Sequence, residues 1–220
     1  MQRKLKNTLA MLLIGIIFAS VLAGCGKSTT NGNGGTTPTP TKAPNSDSSS
    51  DTTAEHVKVK IEMEDGGTMV LELYPEYAPK TVENFVKLVN EGFYDGLTFH
   101  RIKKNFMIQG GDPEGNGTGG SDETIPGEFA ANGYTKNTLS HTYGVISMAR
   151  GKANDSASSQ FFIMNADNKG LDGNYAAFGK LIEGSDTLDA ISDTPVEMNE
   201  YGEKTKPTKN VVIKSIKVIQ

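Results

Sequence analysis

Cysteine is nearly missing from this chain: its 220 residues hold one, Cys25, so no intramolecular disulfide and no cysteine-based metal cluster can form. Tryptophan is absent, and histidine occurs only at His56, His100 and His141. No H-E-x-x-H or comparable ligand spacing connects these histidines, and no serine sits in a G-x-S-x-G elbow. Neither a resident metal, nor a hydrolase triad, nor a cofactor is therefore expected. Positive charge is also in deficit, with 22 Lys and Arg against 26 Asp and Glu, a formal net charge of −4. Three of the basic residues, Arg3, Lys4 and Lys6, fall in the first 24 positions, where there is no acid, so the remainder is more acidic still. An acidic surface without a basic stripe excludes nucleic acid as a partner, because neutralising phosphates takes clustered Lys and Arg.

What is present at the start reads as a leader. A basic stretch precedes an apolar run from Leu9 to Leu22, shorter than the roughly 20 residues a membrane span requires. Leu22-Ala23-Gly24-Cys25 resembles the lipobox of bacterial lipoproteins, in which cleavage precedes the cysteine and its sulfur receives a lipid. The expectation is a signal peptide over residues 1–24 and a lipidated Cys25 that holds the protein on the extracytoplasmic face of a membrane. The plainer reading, an uncleaved anchor helix with a chance cysteine, also leaves the protein outside the cytoplasm. From Gly26 to Glu55 there is no Leu, Ile, Val, Met, Phe or Tyr, so nothing offsets the entropy of ordering, and residues 25–55 read as a tether. As a flexible coil it would span about 30 Å.

Apolar residues recur steadily only over 56–220, which fits one domain. Val57, Val59, Ile61 and Met63 alternate with Lys58, Lys60 and Glu62, and the alternation resumes over Thr68–Tyr74 after Glu64-Asp65-Gly66-Gly67, which predicts a hairpin. Pro79 suits a first helical position, Val82, Phe85, Val86 and Val89 share one helical face, and Gly92 can end the helix. Further strands are expected at Leu97–Ile102, Phe106–Gln109, Gly144–Ala149, Gln160–Met164, Ala177–Leu181 and Asn210–Ile219, with a second short helix near Asp186–Ser192. Many short strands with two isolated helices point to a mainly β fold, a closed eight-stranded antiparallel barrel capped by the helices, since closure removes exposed strand edges.

Gly115 to Gly120 satisfies G-x-G-x-x-G, but a phosphate-cradling loop must open a helix, and Ile125-Pro126-Gly127 ends one; a glycine-rich surface loop is the better reading. Arg101, set among apolar neighbours in Phe99-His100-Arg101-Ile102, either snorkels outward or serves a groove, and a lone strand arginine more often does the former.

Phe99–Ile102, Phe106–Asp112, Gly117–Gly120, Ile146–Arg150, Ser158–Met164, Leu171–Gly173 and Phe178–Lys180 occur in an order that resembles the cyclophilins, with Tyr74-Pro75 and Pro79–Phe85 ahead of them. The resemblance covers about Val57 to Ile219 and neither leader nor tether. It implies a peptidyl-prolyl cis/trans isomerase, an eight-stranded barrel with two capping helices, and a groove for proline-containing segments of unfolded or exported chains. It further implies that Arg101 is the catalytic side chain, that Gln109 orients it, and that Phe106, Met107, Phe162 and Leu171 line the prolyl pocket. Gln160 and the backbone of Ala149 and Arg150 would hold the peptide, with Gly117 at the rim. Three departures from the eukaryotic pattern stand out: Gly170 replaces a tryptophan, which implies weak cyclosporin inhibition; Tyr175 replaces a pocket-wall histidine; and Arg150 replaces an asparagine within a segment one residue longer. A monomer is expected. The rival reading is a tethered proline-peptide binding module whose catalysis is incidental, and a structural adhesin has only the tether in its favour.

Overall fold

The computed structural model describes residues 55–220; the leader, Cys25 and all but the last residue of the tether lie outside the described residues. The expected first hairpin forms as strands β1 (Val57–Met63) and β2 (Thr68–Leu73), and the proline-led helix α1 runs over Pro79–Asn90. Strands β3 (Arg101–Lys103), β4 (Met107–Gly110), β5 (Val145–Met148), β6 (Phe161–Met164) and β7 (Ala177–Glu183) follow, then helix α2 (Ser185–Ser192). Strands β8 (Val196–Met198), β9 (Lys204–Pro207) and β10 (Ile213–Val218) complete the chain. Eight strands make one antiparallel sheet in the order β10-β1-β2-β7-β5-β6-β4-β3, while β8 and β9 form a separate two-stranded ribbon.

The expected closure is corrected. The sheet curls into a half-barrel and is open between its outer strands β3 and β10, which are not laddered to each other. The chain just before each of them touches through an isolated bridge, Thr98 to Val212, with backbone hydrogen bonds Phe99 N to Val211 O and Ile213 N to Leu97 O. Pairing stops there because the strand expected from Leu97 becomes regular only at Arg101, and β3 is three residues long. A short edge strand is itself a way of limiting an exposed edge without closing the sheet.

Side-chain alternation divides the sheet between two cores. Val59, Ile61, Leu71, Ile108, Ile146, Phe161 and Ile163 point to the main core, where Phe85 of α1 meets Tyr94, Phe161 and Phe178 at centroid separations of 5.1, 5.5 and 5.2 Å. Their neighbours Met107, Val145, Phe162, Met164 and Ala177 point the other way and build a smaller cluster. Register then aligns a row across four strands, since Arg101 pairs with Gln109, Gln109 with Phe162, and Phe162 with Ser147. Residues opposite one another in a sheet share a face, so this register places a cation, an amide and an aromatic ring side by side.

Helix α1 has no local cap, because Ala78 precedes it. Glu128, buried and distant in sequence, caps it instead: its two oxygens accept from Lys80 N at 3.0 Å, Thr81 N at 2.8 Å and Thr81 Oγ1 at 2.7 Å. Removing it strands three donors at a buried helix end, so Glu128→Ala should destabilise the domain by about 1–3 kcal/mol. A denaturant midpoint that falls in Glu128→Ala and recovers partly in Glu128→Gln is the expected outcome.

Candidate active site

The row Arg101, Gln109, Phe162 is extended by side-chain hydrogen bonds. Arg101 Nη1 donates to Gln109 Oε1 at 3.1 Å, Gln109 Nε2 donates to Gln160 Oε1 at 2.9 Å, and Gln160 Nε2 donates to the carbonyl of Gly119 at 2.7 Å. This chain sets the amide orientations and leaves the guanidinium as the terminal donor. Arg101 Nη1 also lies 3.7 Å from Met107 Sδ. The expected orienting role of Gln109 therefore has a geometric basis, and Arg101 does not snorkel outward.

Beside the guanidinium is an apolar slot. Met107 and Phe162 are buried in its floor, and Phe106, Ala149, Leu171 and Tyr175 pack around them half-exposed. Phe106 is fixed by its N–H, which donates to Asn165 Oδ1 at 2.6 Å. Phe162 is held edge-on by Tyr175 at 5.7 Å, so the tyrosine ring is a wall of the slot. Arg150 turns its guanidinium away, donating to Asn174 O from Nε and Nη2 at 3.1 and 3.0 Å and stacking on Phe129 and Tyr175. Only its backbone is left for a peptide. Ala149 N–H is already spent on Gln160 O at 2.9 Å, so its carbonyl is the group that can accept from a bound chain. Ala149, Arg150, Gln160, Gln109 and Gly117 border one cavity of about 410 Å³ next to the slot. Of the expected site residues, Phe106, Met107, Ala149, Phe162, Leu171 and Tyr175 meet in the slot, Gln109, Gly117, Ala149, Arg150 and Gln160 meet at the cavity, and Arg101 shares a second cavity with Gln109 and Gly117.

Gly117 is placed by Asp112, whose buried carboxylate accepts from the backbone N–H groups of Glu114, Asn116 and Gly117. Burial raises the pKa of Asp112, and these donors outweigh it and hold the group below the usual range. Within Gly115–Gly120 the N–H groups of Asn116 and Gly117 are committed to this carboxylate, that of Gly115 to Asp112 O and that of Thr118 to Asn116 Oδ1, and no helix follows, which disposes of the phosphate-binding reading.

Two features of the site carry no signal in the sequence. His141, fully buried, stacks on Phe162 at 6.0 Å and 17°, with Nδ1 2.9 Å from Asp172 Oδ1 and Nε2 3.0 Å from Ser147 Oγ. Burial lowers its pKa against the pull of Asp172, so the imidazole is neutral, with Nδ1–H donating to Asp172 and Nε2 accepting from Ser147. The connectivity is that of a hydrolase triad, but Ser147 Oγ is buried within β5 and no substrate can reach it. The network braces the back of the slot. The second feature is Glu203, whose carboxylate accepts from Arg101 Nε at 3.0 Å and Nη2 at 3.1 Å and from Lys103 Nζ at 2.8 Å. The Arg101 hydrogen bond, opposed by partial burial and reinforced by Lys103, pulls Glu203 from 4.5 down to about 2. Because its folded value is depressed, its contribution to stability is complete above pH 4.5 and is lost only as pH falls toward about 2.

These features make an antiparallel half-barrel with two helices that carries a fixed guanidinium beside an apolar slot. The profile of the family described as "Cyclophilin type peptidyl-prolyl cis-trans isomerase/CLD" matches residues 58–218, and the chain belongs to that family. It is 46% identical over 134 residues to peptidyl-prolyl cis-trans isomerase B of Bacillus subtilis strain 168, covering 61% of this chain and 90% of that protein. A solved cyclophilin-type peptidyl-prolyl cis-trans isomerase of Cryptosporidium parvum superposes with a TM-score of 0.66 at 32% identity, over 76% of this chain and 99% of that one. A second structure of it, in the presence of the dipeptide ala-pro, gives a TM-score of 0.65 at 33% identity, over 74% of this chain and 99% of that one.

Proposed function

We propose that this protein catalyses cis/trans isomerisation of X-Pro bonds through Arg101, acting on proline-containing segments of exported chains from a lipid anchor at Cys25. The observation that carries the catalytic reading is a permanently charged guanidinium fixed on several sides beside an apolar slot. No covalent bond is made or broken in the reaction; the barrier of about 18–20 kcal/mol is loss of amide resonance as the C–N bond rotates. No general base is needed, in keeping with a buried His141 that cannot reach substrate. In the rotated state the prolyl nitrogen becomes pyramidal and regains a lone pair, which an N–H donor bearing positive charge binds better than it binds the planar amide. Only such differential binding lowers a barrier.

The slot of Phe106, Met107, Phe162, Leu171 and Tyr175 grips the ring while the acyl side turns, and excludes water that favours the more polar planar amide. Uncatalysed exchange takes tens to hundreds of seconds; at 1.36 kcal/mol per decade, lowering the barrier by about 7 kcal/mol brings it to milliseconds. A binding module would need the slot but not an arginine held by several partners, which favours the enzyme. Accelerated exchange of an Ala-Pro peptide by the full chain is the expected result; tight binding without acceleration would support the module instead.

The anchor rests on the Leu22–Cys25 segment and the apolar-free stretch after it. Among the described residues no helix is long and apolar enough to cross a membrane. Intact mass of membrane-extracted protein should show a chain beginning at a lipid-modified Cys25; an unmodified terminus at Met1 would refute the anchor.

A further inference from the structure

The ribbon of β8 and β9 is absent from the sequence-based expectations, and it delivers the carboxylate that grips Arg101. Its turn is clasped by one side chain. Asn199 Oδ1 accepts from the backbone N–H groups of Tyr201 and Glu203 at 3.0 and 2.8 Å, Asn199 Nδ2 donates to Thr205 Oγ1 at 3.2 Å, and Asn199 N donates to Glu203 O at 2.8 Å. Thr205 is fully buried, so the clasp is anchored beneath the ribbon. Lys103 then pins the carboxylate from the side of β3. Glu203 is therefore a fixed acceptor on a preformed turn, not a mobile surface acid.

A guanidinium has five N–H donors in one plane. Glu203 takes Nε–H and one Nη2 hydrogen side-on, while Gln109 and Met107 take the two on Nη1. Among the described residues this leaves one donor uncommitted, on Nη2. Gln109 alone holds a single corner, about which a long, rotamer-rich side chain can still swing; the bidentate contact fixes the plane. Electrostatic catalysis depends on donors that are already aimed when charge develops.

Building on the reading of Arg101 given above, we propose that Glu203 is a positioning residue for the isomerisation: the ribbon holds its carboxylate against the Nε–Nη2 edge so that the guanidinium of Arg101 stays fixed in plane beside Met107 at the prolyl slot. The carboxylate stays ionised far below neutral pH, so this hold does not switch over the working range. It also tempers the positive charge, and the expected balance favours geometry, because displacing a reacting group by an ångström can cost about a hundredfold.

The test uses the full chain with one Ala-Pro peptide, measuring kcat and KM separately for Glu203→Gln, Glu203→Ala, Arg101→Ala and the Arg101→Ala/Glu203→Ala pair. Loss of aim should appear as a fall in kcat of about tenfold in Glu203→Ala with KM changed less than about twofold, and as a smaller fall in Glu203→Gln, which keeps one acceptor oxygen. Adding Glu203→Ala to Arg101→Ala should cost nothing further. Glu200→Gln, a neighbouring acid on the same turn, should leave kcat unchanged, separating aim from bulk charge. If Glu203→Ala turns over at the normal rate or faster while Arg101→Ala has lost activity, Glu203 is a passenger or a brake and the positioning role is overturned. If Arg101→Ala itself is near normal, the arginine mechanism falls and this role falls with it.

Discussion

Arg101→Ala is expected to fold normally and to lose about 10²–10³-fold in kcat/KM, the range seen when one preorganised electrostatic donor is removed from an active site. The fold should survive because Arg101 sits on a three-residue edge strand and is itself only partly buried. Glu203 keeps Lys103 as a partner, and Gln109 keeps Gln160. Near-identical thermal midpoints with lost turnover would be the signature of a group acting in the rotated state. Arg101→Lys should recover little, since a point charge cannot reproduce a fork held at both edges.

The largest effect on stability is expected at His141. His141→Ala removes a ring from beneath Phe162, leaves Ser147 Oγ buried without its partner, and deprives Asp172 of a donor. Cavity formation and an unsatisfied buried hydroxyl together should cost about 3–5 kcal/mol, a large part of the 5–15 kcal/mol typical of a domain. Phe162 loses its backing, so the slot should loosen and KM for a proline peptide should rise. The same network makes stability depend on pH. His141 is held below its ordinary 6.5 by burial, so the unfolded chain takes up its proton first. Its contribution is complete above pH 6.5 and is lost as pH falls through the folded value. A plot of unfolding free energy against pH should therefore bend downward below 6.5 in the parent chain and lose that component in His141→Ala.

Much of this was legible in the residues because period-two alternation is a direct consequence of strand geometry. Val57–Met63 and the Pro79 helix were readable to within a residue, and the apolar alternation of Phe161 to Met164 divides the two cores in the way the strands require. The joining of Arg101 to Phe162 was not readable from periodicity, since it depends on register between β3, β4 and β6, and only the ordered segments shared with the cyclophilins indicated it. Barrel closure was misjudged because the rule about exposed edges does not fix how an edge is managed; here a short strand and a single bridge suffice.

The β8–β9 ribbon escaped because Val196 to Pro207 is rich in charge and only Thr205 among its strand residues is buried, so it has no core-facing pattern to detect. Glu203 was hidden with it. His141 was visible as a residue but not as a brace, since its partners lie 6 and 31 positions away and meet it only through folding.

The most direct measurement is exchange on the protein itself: an isotope-labelled Ala-Pro peptide, saturated with the full chain, followed by NMR through its cis and trans resonances. With the Arg101 guanidinium favouring the twisted imide over the flat one, Arg101→Ala should slow bound-state exchange by about 10²-fold or more while affinity for the peptide falls by less than about tenfold. Bound-state exchange that stays fast after the guanidinium is gone would contradict the mechanism outright.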